Sequence, residues 1–356
     1  MAALGLALGA CRGDPASIEP PLPPGECLLL RDNPSGVIGM DVGGSVALGG
    51  GRSLFVFGDT FLGGFVDDVA RDVARAVHSS VAVVDDAAVA SCFAGSAFRA
   101  GADGRVAQWL DPTSDRLWPL GPARLADGGS LAFLFTWVRS DPSNGLGFAT
   151  LGNGIAVAPA DAAVVPVDVH ALAAPASEAM PAAWHAQGGD AYLYRCGPSL
   201  GTGWYPCIVG RAALADAASL EAYRYYVAGQ GWVGAYAEAT VVTEGAPAFS
   251  VTHSAYLGAL LEVYVEPFAP FVSVRTAPAP EGPFSAKRDL WPCSLPADDA
   301  RAYCYAAFEH PQLDSADRRR IVVTYSTNTT DFASMVRHPN VYWPRLATLD
   351  LGALRP

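Results

Sequence analysis

Residues 39–64, GMDVGGSVALGGGRSLFVFGDTFLGG, constrain this fold more than any other stretch of the chain. Two apolar runs, residues 45–48 and 53–57, flank a glycine turn at residues 49–51. That is the pattern of a buried β-hairpin. Asp41 precedes the first run and Asp59 follows the second. With Gly50 and Gly51 as the loop, Gly49 faces Arg52 and Val42 faces Asp59. Asp41 is then a diagonal neighbour of Asp59, about 5–8 Å away by strand geometry. Both runs are apolar on both faces, which predicts strands covered by a further layer on each side.

The chain has 356 residues, 51% hydrophobic and 16% charged, enough for one large all-β domain or two ordinary ones. Its 37 Gly and 28 Pro fit many turns and few long helices. After the N-terminus no apolar run reaches 18 residues, so no membrane-spanning helix is expected. A net charge of −12, with 23 basic residues spread along the chain, argues against a nucleic-acid surface. Arg318, Arg319 and Arg320 form the one compact basic run, between two strand patterns, and read as a solvated turn.

The first residues, MAALGLALGACRGDP, end an apolar run with small residues before Cys11, the spacing of a lipoprotein signal with an acylated cysteine. Residues 1–11 are read as that signal, 12–36 as a proline-rich tether and 37–356 as the folded domain. The expected location is the bacterial cell envelope, in the periplasm or on the outer surface, with membrane contact through the anchor alone. Six further cysteines form an even set suited to an oxidising compartment. Six cysteines allow fifteen connectivities. The reading pairs Cys196 with Cys207 and Cys293 with Cys304 as local staples, and Cys27 with Cys92 by exclusion. A zinc site would need closer ligand spacing.

Strand-rich units recur about every 60 residues by the repeat criterion. They cover residues 37–94, 130–159, 184–210, 248–284 and 302–351. Five such units predict a five-bladed β-propeller, with a β-sandwich or two stacked β-domains as the competing architecture. Short helices are expected near residues 166–176 and 212–221. In a propeller the innermost strands ring a channel, and ligands sit at one mouth.

The stretch DVGGSVALGGGRSLFVFGDTF resembles the first blade of a family of bacterial secreted propellers with a D-x-G-x-S…FGDT signature, formerly a domain of unknown function. HPQLDSADRRRIVVTYSTNT resembles their last blade, and SVRTAPAPEGPF a fourth-blade strand that ends in a Gly-Pro turn. The resemblance covers about residues 39–351. It implies a five-bladed fold related to arabinanases and to levansucrase-like and sialidase-like hydrolases, with some members acting as endo-D-arabinanases. By motif, Asp41 matches the first aspartate of the signature and Asp59 the FGDT aspartate. This chain has His78-Ser79 where relatives often show Asn-Ser, and Trp184-His185 where many have Trp-Gly.

Glycoside hydrolysis needs one protonated and one ionised carboxyl group. Asp41 and Asp59 supply the type and the placement, and neighbouring like charges push one pKa up. Glu309, before His310 and Pro311 at the end of an apolar strand, is the third acid read as catalytic. His78, His185, His253 and His310 are read as substrate-binding, as are the loop indoles of Trp204 and Trp232. Trp118, Trp291 and Trp343 precede prolines and are expected to pack at blade joins. Glu262 is expected to face solvent or a cross-strand partner, and His338 to lie in a surface loop. No H-E-x-x-H or clustered histidine pair points to a catalytic metal. No cofactor is expected, and a structural channel cation such as calcium is the one ion left open. The function expected is that of a monomeric, exported glycoside hydrolase acting on a polysaccharide, with arabinofuranose polymers a candidate substrate. The alternatives are a non-catalytic carbohydrate-binding propeller and a structural propeller with a channel cation. Fold alone does not choose between these.

Overall fold

The computed structural model describes residues 22–66, 70–110, 116–124, 130–143, 147–159, 174–175, 180–197 and 205–354. Its strands form five separate antiparallel sheets. A short N-terminal strand, β1 (Glu26–Leu28), comes first. Blade 1 follows with β2 (Val37–Gly49), β3 (Arg52–Val66), β4 (Ala70–Val77) and β5 (Ser80–Asp85). The long β3 pairs with β5 along its first half and with β4 along its second. Blade 2 has β6 (Arg116–Arg124), β7 (Ser130–Ser140), β8 (Phe148–Pro159) and β9 (Ala174–Pro175). Blade 3 has β10 (Met180–Gln187), β11 (Asp190–Cys196), β12 (Pro206–Ala213), β13 (Arg224–Val227), β14 (Gly231–Gly234) and β15 (Val241–Glu244). Blade 4 has β16 (Ser250–Ser254), β17 (Ala259–Val265), β18 (Phe271–Ala277) and β19 (Arg288–Pro292). Blade 5 has β20 (Ala302–Glu309), β21 (Arg320–Thr329) and β22 (Pro344–Asp350), and β1 pairs with β22 as its outer strand. The helix expected near residues 212–221 is replaced by two 3₁₀ turns, Leu214–Asp216 and Leu220–Ala222. The one expected near residues 166–176 lies mostly outside the described residues, where Ala174–Pro175 is strand.

The inner strands β2, β6, β10, β16 and β20 touch in a closed ring. β16 and β20 are bridged in parallel at Phe249 and Ala307. This is a five-bladed β-propeller. Five apolar clusters fill the five joints between blades. The alternation of β3 explains how one strand feeds two joints. Leu54 and Val56 pack toward blade 2, while Phe55 and Phe57 pack toward blade 5. Val42, Leu120, Ala306 and Phe308, from three inner strands, share one buried apolar cluster. The Phe308 ring from blade 5 crosses to blade 2, where a Cβ on Gly121 would lie only 3.5 Å from it.

The turn between β2 and β3 is the one read from sequence. Gly49 faces Arg52, and Gly50 and Gly51 take φ of 63° and 71°, as a type I′ hairpin requires. The strands run further than their apolar cores, so Asp41 and Asp59 lie inside them rather than beyond their ends. The register also differs from the expected one. Val42 pairs with Phe57, not Asp59, because bulges intervene. The folded domain also begins earlier than residue 37, because residues 26–28 are stitched into blade 5. Cys27 is paired with Cys92, Cys196 with Cys207 and Cys293 with Cys304.

Of the two expectations for Glu262, the solvent-facing one is overturned, while Arg275 stands opposite it across the strands. Glu262 is fully buried between Val251 and Arg275 in the sheet, and its Oε2 accepts from Thr243 Oγ1 at 2.8 Å across the joint between blades 3 and 4. Inward-facing polarity on a central strand looks the same in sequence as outward-facing polarity. Burial pushes the Glu262 carboxyl up to about 8.

Two measurements test these supports. Replacing Cys27 and Cys92 together by serine removes a cross-link over 65 residues of chain. It should lower stability in urea titrations by about 2–4 kcal/mol. Because the folded Glu262 pKa lies above its unfolded value, its contribution is full in acid and lost as pH rises to about 8. The melting temperature should therefore fall between about pH 5 and pH 8.5, and Glu262→Gln should flatten that slope.

Candidate functional site

The hairpin of blade 1 brings two carboxyl groups together through its irregularities. Met40 pairs with Thr60 and Val42 with Phe57, so Gly58 and Asp59 together oppose the single residue Asp41. This is a β-bulge, a device that re-aims side chains. A second irregularity follows on the other strand, between Val42 and Gly44. There Val42 takes φ of 73° and Gly43 takes 88°. A β-branched residue in that region is strained. The bulge is held from blade 5, where Ser326 Oγ donates to Val42 O at 3.2 Å and Thr324 Oγ1 to Gly43 O at 3.1 Å. Gly58 explains the glycine of the FGDT motif. A Cβ there would overlap Asp41 Oδ1.

Asp41 and Asp59 sit in unlike surroundings. Asp41 Oδ2 accepts from the Tyr305 hydroxyl at 2.7 Å, and its Oδ1 is out of contact with solvent and without a hydrogen-bond partner. Burial first and the Asp59 charge second push the Asp41 carboxyl up to about 7, against the Tyr305 hydroxyl. Asp59 is set among donors. Its Oδ1 accepts from His78 Nδ1 at 2.7 Å and from Trp118 Nε1 at 2.8 Å, and its Oδ2 lies 3.8 Å from Arg116 Nη1. The His78 backbone N–H is fixed on Gln108 Oε1 at 2.7 Å. The Tyr342 hydroxyl donates to Asp59 O at 3.1 Å, and its ring stacks on Phe61 at 4.8 Å.

The site therefore draws on three blades: Asp41, Asp59 and His78 from blade 1, Arg116 and Trp118 from blade 2, and Tyr305 and Tyr342 from blade 5. Two further residues at left-handed φ border it, Ala306 at 52° and Tyr342 at 58°. Arg71, buried on β4, fastens the segment before Tyr342. Its guanidinium donates to the carbonyls of Met335 at 2.5 Å, His338 at 3.2 Å and Pro339 at 2.8 Å, and also to that of Val341. His338 is accordingly buried, not a surface loop residue.

The other residues named from sequence lie elsewhere. Glu309 ends β20 four residues beyond Tyr305, past a bulge between Tyr305 and Phe308, and His310 follows it. His310 meets Ser45 rather than Asp41. Its Nδ1 is 2.6 Å from Ser45 Oγ and its Nε2 2.8 Å from Thr324 Oγ1, and burial lowers its pKa to about 3. Glu309 accepts from Thr252 Oγ1 beside Asp314, and burial pushes both carboxyls up. His185 is buried next to His253 and Gln187, while the His253 side chain is exposed. Trp232 is not in a loop. It belongs to β14, at the outer edge of blade 3, packed on Tyr192 and Tyr226. Trp204 and Cys11 lie outside the described residues. Among the described residues no group of three His, Cys, Asp or Glu side chains is placed to hold a metal ion.

Sequence reasoning missed Trp118, Arg116, Tyr303, Tyr305 and Tyr342 as site residues. Trp291 and Trp343 pack internally as expected, but the Trp118 indole reaches Asp59. The alternation of Tyr303 and Tyr305 on an inner strand was the available signal, since period two sends both side chains to one face. Gly58→Ala should cost about 1–3 kcal/mol by overpacking and displace the Asp41 carboxyl. Urea titration would measure the first effect. The second would appear as a changed Asp41 titration by NMR.

The comparisons agree with this architecture. A putative hydrolase from Bacteroides ovatus is similar in structure, with a TM-score of 0.63 at 17% identity over 88% of this chain and 86% of that one. A GH43_1 enzyme from Xanthomonas citri, complexed with xylose, is similar at a TM-score of 0.50 and 15% identity, over 91% of this chain and 92% of that one. At these identities the likeness concerns the fold. No curated protein matched the sequence. The sequence profile described as "Domain of unknown function (DUF5005)" matches residues 28–348, and this chain belongs to that family.

Proposed function

We propose that this protein is a glycoside hydrolase whose carboxyl pair is Asp41 and Asp59. The observation that carries the reading is the bulge that sets two carboxyl groups from paired strands side by side in unlike environments. Such asymmetry divides acid and base roles between chemically identical groups. Asp41, pushed up to about 7, holds a proton in neutral solution and serves as the general acid. Asp59, oriented by His78 and Trp118, serves as base or nucleophile toward the anomeric carbon. The likeness in fold to a GH43_1 enzyme complexed with xylose supports a glycan ligand. Arabinofuranose polymers head the substrate panel because the FGDT signature resembles secreted propellers that include endo-D-arabinanases. Three disulfides support an exported protein, and the lipid anchor at Cys11 belongs to the same reading. The competing reading, a carbohydrate-binding propeller, draws on the engagement of Asp59 by three neighbouring donors.

Reducing-sugar release from arabinans, xylans, galactans and fructans tests the proposal. Wild-type protein should release sugar from at least one polymer, and Asp59→Asn should lower the rate by at least about 10²-fold. Glycan binding with no release by the wild type would move the protein to the binding class. The pH profile checks the acid. Activity should be present below about pH 7 and decline above it, as Asp41 loses its proton. Tyr305→Phe removes a donor that favours the ionised form, so the declining limb should move to higher pH.

A further inference from the structure

Phe268 stands out among the five large apolar side chains exposed in the described residues. It is the most exposed of them, at 72%. It occupies the β17–β18 connection at φ of 64°, a conformation that a bulky residue adopts at a cost. Pro267 and Pro270 flank it and limit the loop's freedom. The loop is also pinned. Ala269 N–H donates to Glu266 O at 2.9 Å, Lys287 Nζ meets Glu266 at 2.6 Å, and Cys293 N–H donates to Pro270 O at 2.8 Å. Cys293 is cross-linked to Cys304, which lies between Tyr303 and Tyr305. One disulfide thus ties the loop of Phe268 to the strand that serves Asp41.

The rings form a continuous path. The Phe268 ring lies 5.8 Å from that of Tyr303, Tyr303 lies 5.5 Å from Tyr305, and the Tyr305 hydroxyl is 2.7 Å from Asp41. In blade 2, Trp118, which donates to Asp59, meets Phe148 edge-on at 4.7 Å. A rigid exposed ring that continues an aromatic path to a carboxyl pair is suited to the C–H face of a sugar ring, which offers apolar area while its hydroxyls stay in water. Its strained backbone and three tethers fit a preformed platform that loses little freedom on binding.

We propose that Phe268 is a sugar-stacking platform at the outer end of a subsite that runs over Tyr303 to Asp41, and that the ligand is a glycan chain extending beyond the bond at the carboxyl pair. The inference rests on the glycan reading above and adds the place where the chain beyond the scissile bond is held. A short glycoside occupies the carboxyl pair without reaching Phe268. A chain covers both.

The test separates the two readings by using Asp59→Asn as the background for binding. Retention in native gels containing linear arabinan, arabinoxylan or β-1,3-galactan is compared for Asp59→Asn alone and with Phe268→Ala or Phe268→Trp added. Phe268→Ala should weaken retention by one of these polymers about tenfold, the loss expected when one stacked ring is removed. Phe268→Trp should preserve it. In the Asp59-intact protein, Phe268→Ala should raise KM for that polymer about tenfold and leave kcat within about twofold. Equal retention with and without the Phe268 ring overturns the proposal, as does absence of retention on all three polymers. A shift in sedimentation on Phe268→Ala, with retention unaltered, assigns the ring to a contact between copies and also overturns it. Failure of hydrolysis by wild-type protein sinks the glycosidase reading and leaves the retention comparison readable.

Discussion

Closure of the ring is the constraint on which the rest of this molecule depends. Blade 5 receives its outer strand, β1, from the N-terminus, so the two ends of the propeller are joined within one sheet. At that seam Glu26 is buried. Its Oε2 accepts from Trp291 Nε1 at 2.7 Å and from the Tyr325 hydroxyl at 2.8 Å, and its Oε1 faces Arg345 Nε at 3.4 Å. Trp291 belongs to blade 4 and Tyr325 to blade 5, so one carboxylate locks the terminal strand onto two blades. A buried charge of this kind is costly to leave unpaired, so losing any one of these partners weakens the seam. The Cys27–Cys92 link fixes the same strand to the end of blade 1. Closure sets blade 5 beside blade 1, and only then can Tyr305 reach Asp41 across 264 residues of sequence.

The carboxyl pair is made by departures from regular sheet geometry within this closed frame. A regular antiparallel register would send neighbouring residues to alternate faces and keep Asp41 and Asp59 apart. The bulge at Gly58–Asp59 breaks the alternation, and the αL turn at Val42–Gly43 continues the distortion. Hydroxyls of Thr324 and Ser326 satisfy the carbonyls the distortion frees. Ala306 and Tyr342 of blade 5 are likewise left-handed. Strain gathered around one group of polar side chains, with its hydrogen bonds satisfied from another blade, marks a site that the whole fold supports.

The two ends of the inner strands have different characters. One end carries Asp41, Asp59 and their aromatic surroundings. The other carries His310, Glu309, Thr252 and His185, where burial holds His310 neutral and both of its ring nitrogens are occupied. In sequence these residues look alike: polar groups on apolar inner strands. Height along the channel distinguishes them, and height depends on how parallel inner strands from separate blades align.

Much of the fold was legible in the chain itself. The glycine turn and the two-faced apolar runs dictated a buried hairpin, and the recurrence of such units dictated blades, because alternation and turn chemistry are local properties. Asp41 and Asp59 were legible as neighbours for the same reason, since the two arms of one hairpin bring their backbones close. Local rules did not reach the bulged register, the burial of Glu262, the strand at residues 26–28, or the arrival of Trp118, Tyr305 and Tyr342 at the carboxyl pair. Those features depend on which faces of distant strands meet when the ring closes. A polar side chain on a strand carries no mark of whether the opposing surface is solvent, a partner hydroxyl or another carboxylate. Tertiary packing supplied that surface, and with it the unlike environments of the two aspartates.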